Sequence, residues 1–492
     1  MYLLYGIDEY LKEADNIYDL VSNCFGALCD NIDNHQLFIS KYLDAGNGKL
    51  NNPNLKILDG FSEKIMKIME SYKPSTFSDT LDEILKSVET LDLKKFFDDK
   101  ENQLTIVYCI LAAIDAVAMN WENKWLTSTF GPLDRQGKTR YRVYFNTHRT
   151  VNSDYISKIG RERVNASTFF EQFESFRFID TKKWKENINI PQIKYLPNVC
   201  EKENFNENDL KIKIAVLPVS CNKNFKFVPA VGSGLKVDYS SNSQDKVIKT
   251  IIESLEKAIK AESNIIVLPE YVISPKVHEE ISKKLKEYSR YSSKVNKLFI
   301  VFEGTMWTDD DNNVMKILDP WGEELGEYYK YSPFTRRKAG GHGFIQHEAL
   351  KNPGKKCDLM AIEEIGLFLP AVCRDTIDGE YTEEILRMLF PTFTIISAWS
   401  PSVASFEMRE KEFANKYFCS TVFANACSAV KSTADKIGNG CIVHKKGTIA
   451  DGNIGSICRS NCEEMCENGS CAYVIEYNFA YEADNNIRVY RL

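Results

Sequence analysis

The chain has no surplus of positive charge, no apolar run long enough to span a bilayer, no internal repeat and no low-complexity tract. With 62 basic against 69 acidic residues and a net charge of -7, a nucleic-acid partner gripped by an overall basic surface is not expected. The most apolar stretch, Leu104 to Ile114, is about half a membrane-spanning length and is followed by Asp115, so it reads as a buried helix and no membrane partner is expected. The opening MYLLYGIDEYLKEAD turns acidic too early for an export leader, with no basic lead and no small-residue cleavage site. A cytoplasmic location with reduced thiols is therefore the expectation for the 14 cysteines. No GxxxxGK loop occurs, which argues against an attached synthetase half.

What is present is enough apolar material for more than one core: 492 residues, 43% of them hydrophobic. Residues 8 to 130 read as helical because apolar positions recur every three and four residues, as at Leu11, Ala14, Ile17, Leu20 and Val21, and again at Leu81, Ile84, Leu85 and Val88. Thr76-Phe77-Ser78-Asp79 offers a helix start. Residues 134 to 163 mix basic side chains (Arg135, Lys138, Arg140, Arg142, Arg149, Lys158, Arg161 and Arg163) with tyrosines and a phenylalanine. This stretch fits a solvated strand and loop better than a phosphate contact. A polar stretch from Asn198 to Asp209 then marks a change of pattern, so the expected division is a mainly α-helical domain over 1 to 200, of unknown role, and a second domain over 210 to 492.

The second half alternates short apolar runs with amphipathic stretches. KIKIAVLP, NIIVLPE, KLFIVFEGT, IGLFLPAVC, FTIISAW and STVFAN read as buried strands; Val247 to Ile259, Thr382 to Leu389 and Phe406 to Tyr417 read as helices. That alternation indicates an α/β layered domain.

Two residues stand where such strands emerge into polar sequence, and a third is set among aromatic groups. Glu270 follows IIVLP, Cys373 ends the run Leu367 to Val372 just before Arg374-Asp375, and Lys330 follows Tyr328-Tyr329 and precedes Ser332-Pro333-Phe334. Taken singly, each has a bland reading: a strand-end surface charge, a small buried hydrophobe, a surface lysine. Taken together, VLPEYVIS, GEYYKYSPF and LPAVCRDTIDGEY resemble, in order, the glutamate, lysine and cysteine motifs of the nitrilase superfamily. DPWGEELGEYYK resembles that family's turn into the lysine, HEALKNPG its segment with an additional glutamate, VFANACSA a late strand ending in asparagine, and GNGCIVHKKGTIAD its Gly-rich loop before a final hairpin. The resemblance covers roughly residues 211 to 480. The chain departs from it after the nucleophile, where TIDGEY replaces an aromatic, proline-containing stretch, and at TRRKAGGHG, a basic Gly-rich segment before the additional glutamate.

The resemblance implies a four-layer α-β-β-α sandwich and a hydrolase acting on a small amide, with nitriles second. Glu270 would be the general base, Lys330 and the backbone N–H of Arg374 the donors to an oxyanion, Cys373 the nucleophile that becomes a thioester or thioimidate, and Glu348 the group that orients Lys330 or assists the base. No catalytic cofactor is implied, and pairing with another copy of the chain is. The absence of spanning segments removes the lipoprotein acyltransferase branch. A second reading, by analogy alone, is a nitrilase-fold sensor or scaffold acting through oligomerisation and its helical half, as in bacterial anti-phage defence.

Cys458, Cys462, Cys466 and Cys471 are enough thiols for a structural tetrahedral zinc site, but the spacing lacks the paired two-residue gap of common knuckles. Unligated thiols or an oxidised pair are the other readings. His278, His342, His347 and His444 show no ligand spacing and are expected to make ordinary polar contacts.

Overall fold

The computed structural model describes residues 11–29, 55–91, 99–118, 141–145, 173, 176–181, 191–196, 211–219, 225–230, 234–239, 244–291, 297–337, 345–362, 365–401, 403–417, 419–426, 429, 440–442, 472–478 and 487–492. The chain divides into two units, Met1–Asn187 and Ile188–Leu492.

In the first unit, helices α1 (Ile17–Cys29), α2 (Leu55–Glu70), α3 (Phe77–Glu89) and α4 (Asp99–Ala118) accompany an antiparallel pair, β1 (Tyr141–Phe145) and β2 (Phe176–Asp180). The helical spacing of apolar residues explains the packing: Leu20, Val21 and Phe25 of α1 share one core with Ile65 and Met69 of α2 and Ile84 of α3. Within α4, Leu104, Ile110 and Ile114 join the same core, and no described helix is long and apolar enough to cross a membrane. The helix start at Thr76 is present, with Thr76 as N-cap of α3. Of the basic stretch 134–163, only β1 lies within the described residues, and it buries Val143 and Tyr144.

The second unit begins before the polar stretch 198–209. Strand β3 (Gln192–Leu196) pairs in parallel, over five residues, with β13 (Asp358–Ile362), so it belongs to the later sheet although it precedes the change of sequence pattern. Further strands are β4 (Lys211–Val216), β5 (Lys226–Pro229), β6 (Gly234–Asp238), β7 (Ile265–Val267), β8 (Ile300–Trp307), β9 (Asn313–Leu318), β10 (Glu324–Tyr329), β11 (Thr335–Arg337) and β12 (Ile345–Glu348). After β13 come β14 (Gly366–Val372), β15 (Phe393–Ala398), β16 (Ser420–Asn425), β17 (Gly440–Ile442), β18 (Tyr473–Asn478) and β19 (Ile487–Arg491).

Among the described residues, these strands make a seven-stranded sheet in the order β10-β9-β8-β7-β4-β18-β19 and a six-stranded sheet in the order β17-β16-β15-β14-β13-β3. The two sheets face each other: the Phe302 and Phe368 rings lie 6.5 Å apart, those of Phe393 and Tyr477 5.3 Å apart, and the Ser397 hydroxyl donates to the Leu268 carbonyl at 2.7 Å. Helices α5 (Gln244–Lys260) and α6 (Pro275–Tyr291) press Ile251, Leu255, Val277 and Ile281 onto Ala215, Ile266 and Val301 of the first sheet. Beyond a one-turn helix, α7 (Arg374–Ile377), lie α8 (Glu380–Leu389) and α9 (Ala404–Tyr417); α9 covers the second sheet, with Phe406 stacked on Phe423 at 4.7 Å. The result is the expected α-β-β-α sandwich. Strands covered on both faces have no reason to alternate, which is why β7, β8, β14, β15 and β16 are buried at every position.

A smaller sheet, in the order β11-β12-β6-β5, was not foreshadowed by the sequence. Its strands are short and half-exposed, so they carry no continuous apolar run.

Candidate active site

Strands β4, β7 and β8 are mutually parallel, and β10 shares their direction through the antiparallel β9; β14, β15 and β16 are parallel in the other sheet. Glu270, Lys330, Cys373 and Trp399 all follow the carboxyl ends of these strands, the usual place for a site in such sheets.

A bulge fixes Glu270. The pairing of β8 with β9 slips between Phe302 and Thr305, and Gly304 there takes φ +78°, with Pro269 O only 2.1 Å from where a Cβ would sit. Only glycine lets β8 come this close. Thr305 is thereby brought against the turn: its hydroxyl accepts the Tyr271 N–H at 2.9 Å and its N–H donates to Pro269 O at 3.3 Å. Tyr271 and Cys373, one residue after the base and the nucleophile itself, hold positive φ of 64° and 47°, conformations unusual outside glycine that persist where the surroundings impose them.

Lys330 and Glu270 are each 1% exposed. The Lys330 ammonium lies 2.6 Å from Glu270 Oε1 and 2.7 Å from Glu348 Oε2. Asn313 Nδ2 donates to both carboxylates, at 3.0 Å to Glu270 and 2.9 Å to Glu348. The Tyr271 hydroxyl donates to Glu348 Oε1 at 2.7 Å, the Phe334 N–H to Glu348 Oε2 at 3.0 Å, and the Trp399 N–H to Glu270 Oε2 at 3.1 Å. Both carboxylates thus have every oxygen occupied, the condition under which buried charge is tolerated. Burial is the strongest influence on Lys330 and opposes its charge, but the two carboxylates outweigh it and hold the amine above the ordinary lysine range. Glu270 is raised by burial and by the Glu348 charge, against the pull of Lys330. The rings of Tyr271 and Phe334 lie 5.6 and 5.7 Å from the ammonium, and Phe227 packs against Tyr271, Phe334 and Trp399 at 5.3 to 5.6 Å.

Cys373 caps α7, its N–H bonded to Ser397 O at 2.9 Å, and its thiol hydrogen-bonds the Glu270 carboxylate beside the Trp399 N–H. Burial pushes the thiol far above its ordinary range and the Glu270 charge adds to this, with Lys330 only partly offsetting them. The resting nucleophile is therefore a thiol sharing its proton with Glu270. The Arg374 side chain turns toward Asp378 and Thr335, leaving its backbone N–H, at the first position of α7, as the part of that residue able to serve the site.

The structure thus brings Glu270, Lys330, Glu348 and Cys373 together. Three further residues, Asn313, Tyr271 and Trp399, complete the network without having been singled out for it. Asn313 had one visible signal, a polar residue heading the apolar strand NVMKIL. Cys458, Cys462, Cys466 and Cys471 lie outside the described residues, as do His342 and His444. Among the described residues no group of three or more His, Cys, Asp or Glu could hold a metal, and Cys24, Cys109, Cys357, Cys373 and Cys419 form no disulfide. His278 makes a polar contact with Glu303, and His347 lies exposed on β12.

No family model matches the chain and no curated protein matches it. Among solved structures it is similar to an amidase from Nesterenkonia sp. AN1 with acrylamide added at the active-site cysteine, at 9% identity over 47% of this chain and 85% of that one, with a TM-score of 0.34. It is similar to Nit3 from Saccharomyces cerevisiae, a member of branch 10 of the nitrilase superfamily, at 16% identity over 55% and 91% of the two chains, with a TM-score of 0.37. The C. elegans NitFhit protein matches at 14% identity over 55% of this chain and 61% of that one, with a TM-score of 0.36. Nitrilase-superfamily structures thus match about half of the chain.

Proposed function

We propose that the second unit is a carbon–nitrogen hydrolase of nitrilase type that cleaves a small, non-peptide amide through a thioester on Cys373. The observation that carries this reading is one buried ammonium, Lys330, held 2.6 and 2.7 Å from two carboxylates, one of which also takes the Cys373 hydrogen bond. Because the thiol is pushed so far up, its proton leaves as the bond forms: Sγ attacks the amide carbon while Glu270 takes the proton. Lys330 Nζ and the Arg374 N–H stabilise the oxyanion, Glu270 returns the proton to the leaving amine, and the amine departs. Water then gives its proton to Glu270 and attacks the thioester, and the acid leaves with Sγ reprotonated. Losing one oxyanion donor of this kind costs roughly two to three powers of ten in rate.

The test is ammonia release from a panel of primary amides, N-carbamoyl compounds, glutamine and nitriles, beside Cys373→Ala, with intact mass to trap an acyl adduct. Turnover or an adduct that vanishes in Cys373→Ala is the expected result. An inert Cys373, unmodified by a small electrophile as well, would overturn the enzyme reading in favour of a scaffold. Self-association of the sandwich is part of the proposal, and sedimentation of the full chain should show a species larger than one copy.

A further inference from the structure

Two residues after the nucleophile, the Asp375 side chain is 1% exposed and spends none of its hydrogen bonds on its own segment. Its oxygens accept the Ser332 N–H at 2.5 Å, the Tyr331 N–H at 3.2 Å and the Tyr328 hydroxyl at 3.0 Å. Those three donors flank Lys330 on both sides. Tyr328 is itself fully buried and bridges by its backbone to Cys357 at the start of β13, so the segment it anchors is tied to the second sheet. Burying a carboxylate is costly unless its acceptors are filled, and here all the filling comes from the strand end that bears the cation.

We propose that Asp375 is a positioning residue that locks the Lys330 strand end to the helix behind Cys373, so that cation, oxyanion N–H and nucleophile keep one geometry. The inference rests on the roles given above to Cys373 and Lys330. The geometry explains why a clamp is needed: Lys330 leaves one sheet and Cys373 the other, and among the described residues the backbone bonds of the Lys330 segment reach the stretch before β13, at Gly354, Lys356 and Cys357, rather than the strand that bears Cys373. A displacement of about 1 Å between such groups can cost on the order of a hundredfold in rate.

The clamp works only as a carboxylate, since three donors converge on two oxygens. Burial raises Asp375 to about 6, against the pull of Lys330 and of the donors. The Tyr328 hydroxyl faces it from β10 and Lys330 from just past that strand, with the N–H groups of Tyr331 and Ser332, while the Tyr381 and Cys357 side chains lie nearby. Below about pH 6 it gains a proton and loses an acceptor.

The experiment uses the full chain and a probe independent of substrate, the rate of Cys373 alkylation by iodoacetamide, read by mass mapping of the peptide that holds Cys373 from pH 5 to 9 for wild type, Asp375→Asn and the surface control Glu380→Gln. Ammonia release on any amide turned over is read in parallel. Wild type should show an inflection near pH 6 that Asp375→Asn lacks, with alkylation altered about tenfold and kcat lowered tenfold to a hundredfold while KM moves far less. Circular dichroism and the melting temperature identify an Asp375→Asn chain that fails to fold; Asp375→Glu, which restores the charge, should then recover part of the inflection. An Asp375→Asn profile superimposable on wild type overturns the clamp. Loss of rate that follows the melting temperature alone, with the inflection retained, overturns it as well. A clamp that responds on alkylation while no amide is hydrolysed leaves the positioning role standing and sinks the hydrolase reading instead.

Discussion

Buried carboxylates occur in two settings in the second unit, and they are handled in opposite ways. At the strand ends, Glu270 and Glu348 share one ammonium, and each oxygen meets a donor drawn from Asn313, Tyr271, Phe334 or Trp399. Under the helices, Glu410 of α9 accepts one bond from Thr421 at 3.2 Å, and Glu303 of β8 contacts only His278; the other oxygen of each has no hydrogen-bond partner among the described residues. Burial raises Glu270 in the first setting as it raises Glu303 and Glu410 in the second, but in the first a shared cation and a donor on every oxygen oppose it, whereas in the second a single hydrogen-bond partner does. The difference lies in the cation and in the number of donors, both of which the surrounding fold must deliver.

Removing the cation should break this contrast most forcefully. Lys330→Met keeps the length of the side chain and leaves Glu270 and Glu348 facing each other without a counter-charge, a change that typically costs about 3–5 kcal/mol. The urea midpoint at pH 7 should fall accordingly, ammonia release should drop to background, and the stability loss should shrink as the pH is lowered toward 5 and the carboxylates can protonate. A midpoint equal to wild type at pH 7 would mean that the two carboxylates do not depend on Lys330.

Glu410→Gln should sharpen the contrast from the other side. Burial lifts Glu410 to about 8 from the ordinary glutamate value near 4.5, with Glu407 adding to the rise and Thr421 opposing it. A native acid that binds its proton more tightly than the unfolded chain loses stability as the pH rises from the unfolded value through the folded one. Wild type should therefore weaken between about pH 4.5 and 8, by a few kcal/mol at about 1.4 kcal/mol per pH unit, and Glu410→Gln, which mimics the neutral acid, should lose that slope with turnover unchanged. Parallel melting-temperature profiles for the two chains would contradict this.

The same distinction decides what could be read from sequence. Strands buried on both faces leave continuous apolar runs, and the residue where each run stops is where a side chain can meet a ligand, so Glu270 and Cys373 stood out; Lys330, after the half-exposed β10, stood out only through its place in the ordered set of motifs. Helices α1 to α4 were legible through their three- and four-residue spacing. Asn313 and the Tyr271 hydroxyl were not, because their importance comes from groups 43 and 77 residues away, across the sheet from one another. Nor was β3, whose partner in the ladder lies far along the chain, nor the β11-β12-β6-β5 sheet, where half-exposed strands give neither periodicity nor a run.

The smallest expected effect concerns the other acid under the helices, Glu303. His278 Nδ1 lies 2.7 Å from Glu303 Oε2, and that hydrogen bond raises the imidazole above its ordinary value against the opposing effect of burial; Lys316 lowers it and Glu324 raises it further. A histidine raised in the folded chain contributes stability that is complete below its unfolded pKa of about 6.5 and fades as the pH climbs through the folded value. Removing the ring should therefore matter in acid and little in base. His278→Gln should cost roughly 1–2 kcal/mol near pH 6, the size of a hydrogen bond to a charged group, and less by pH 9. In Glu303→Gln the His278 titration, followed by proton NMR, should move downward. If it stays where it is in wild type, Glu303 is not what holds the proton on that ring, and its single partner does not oppose its burial.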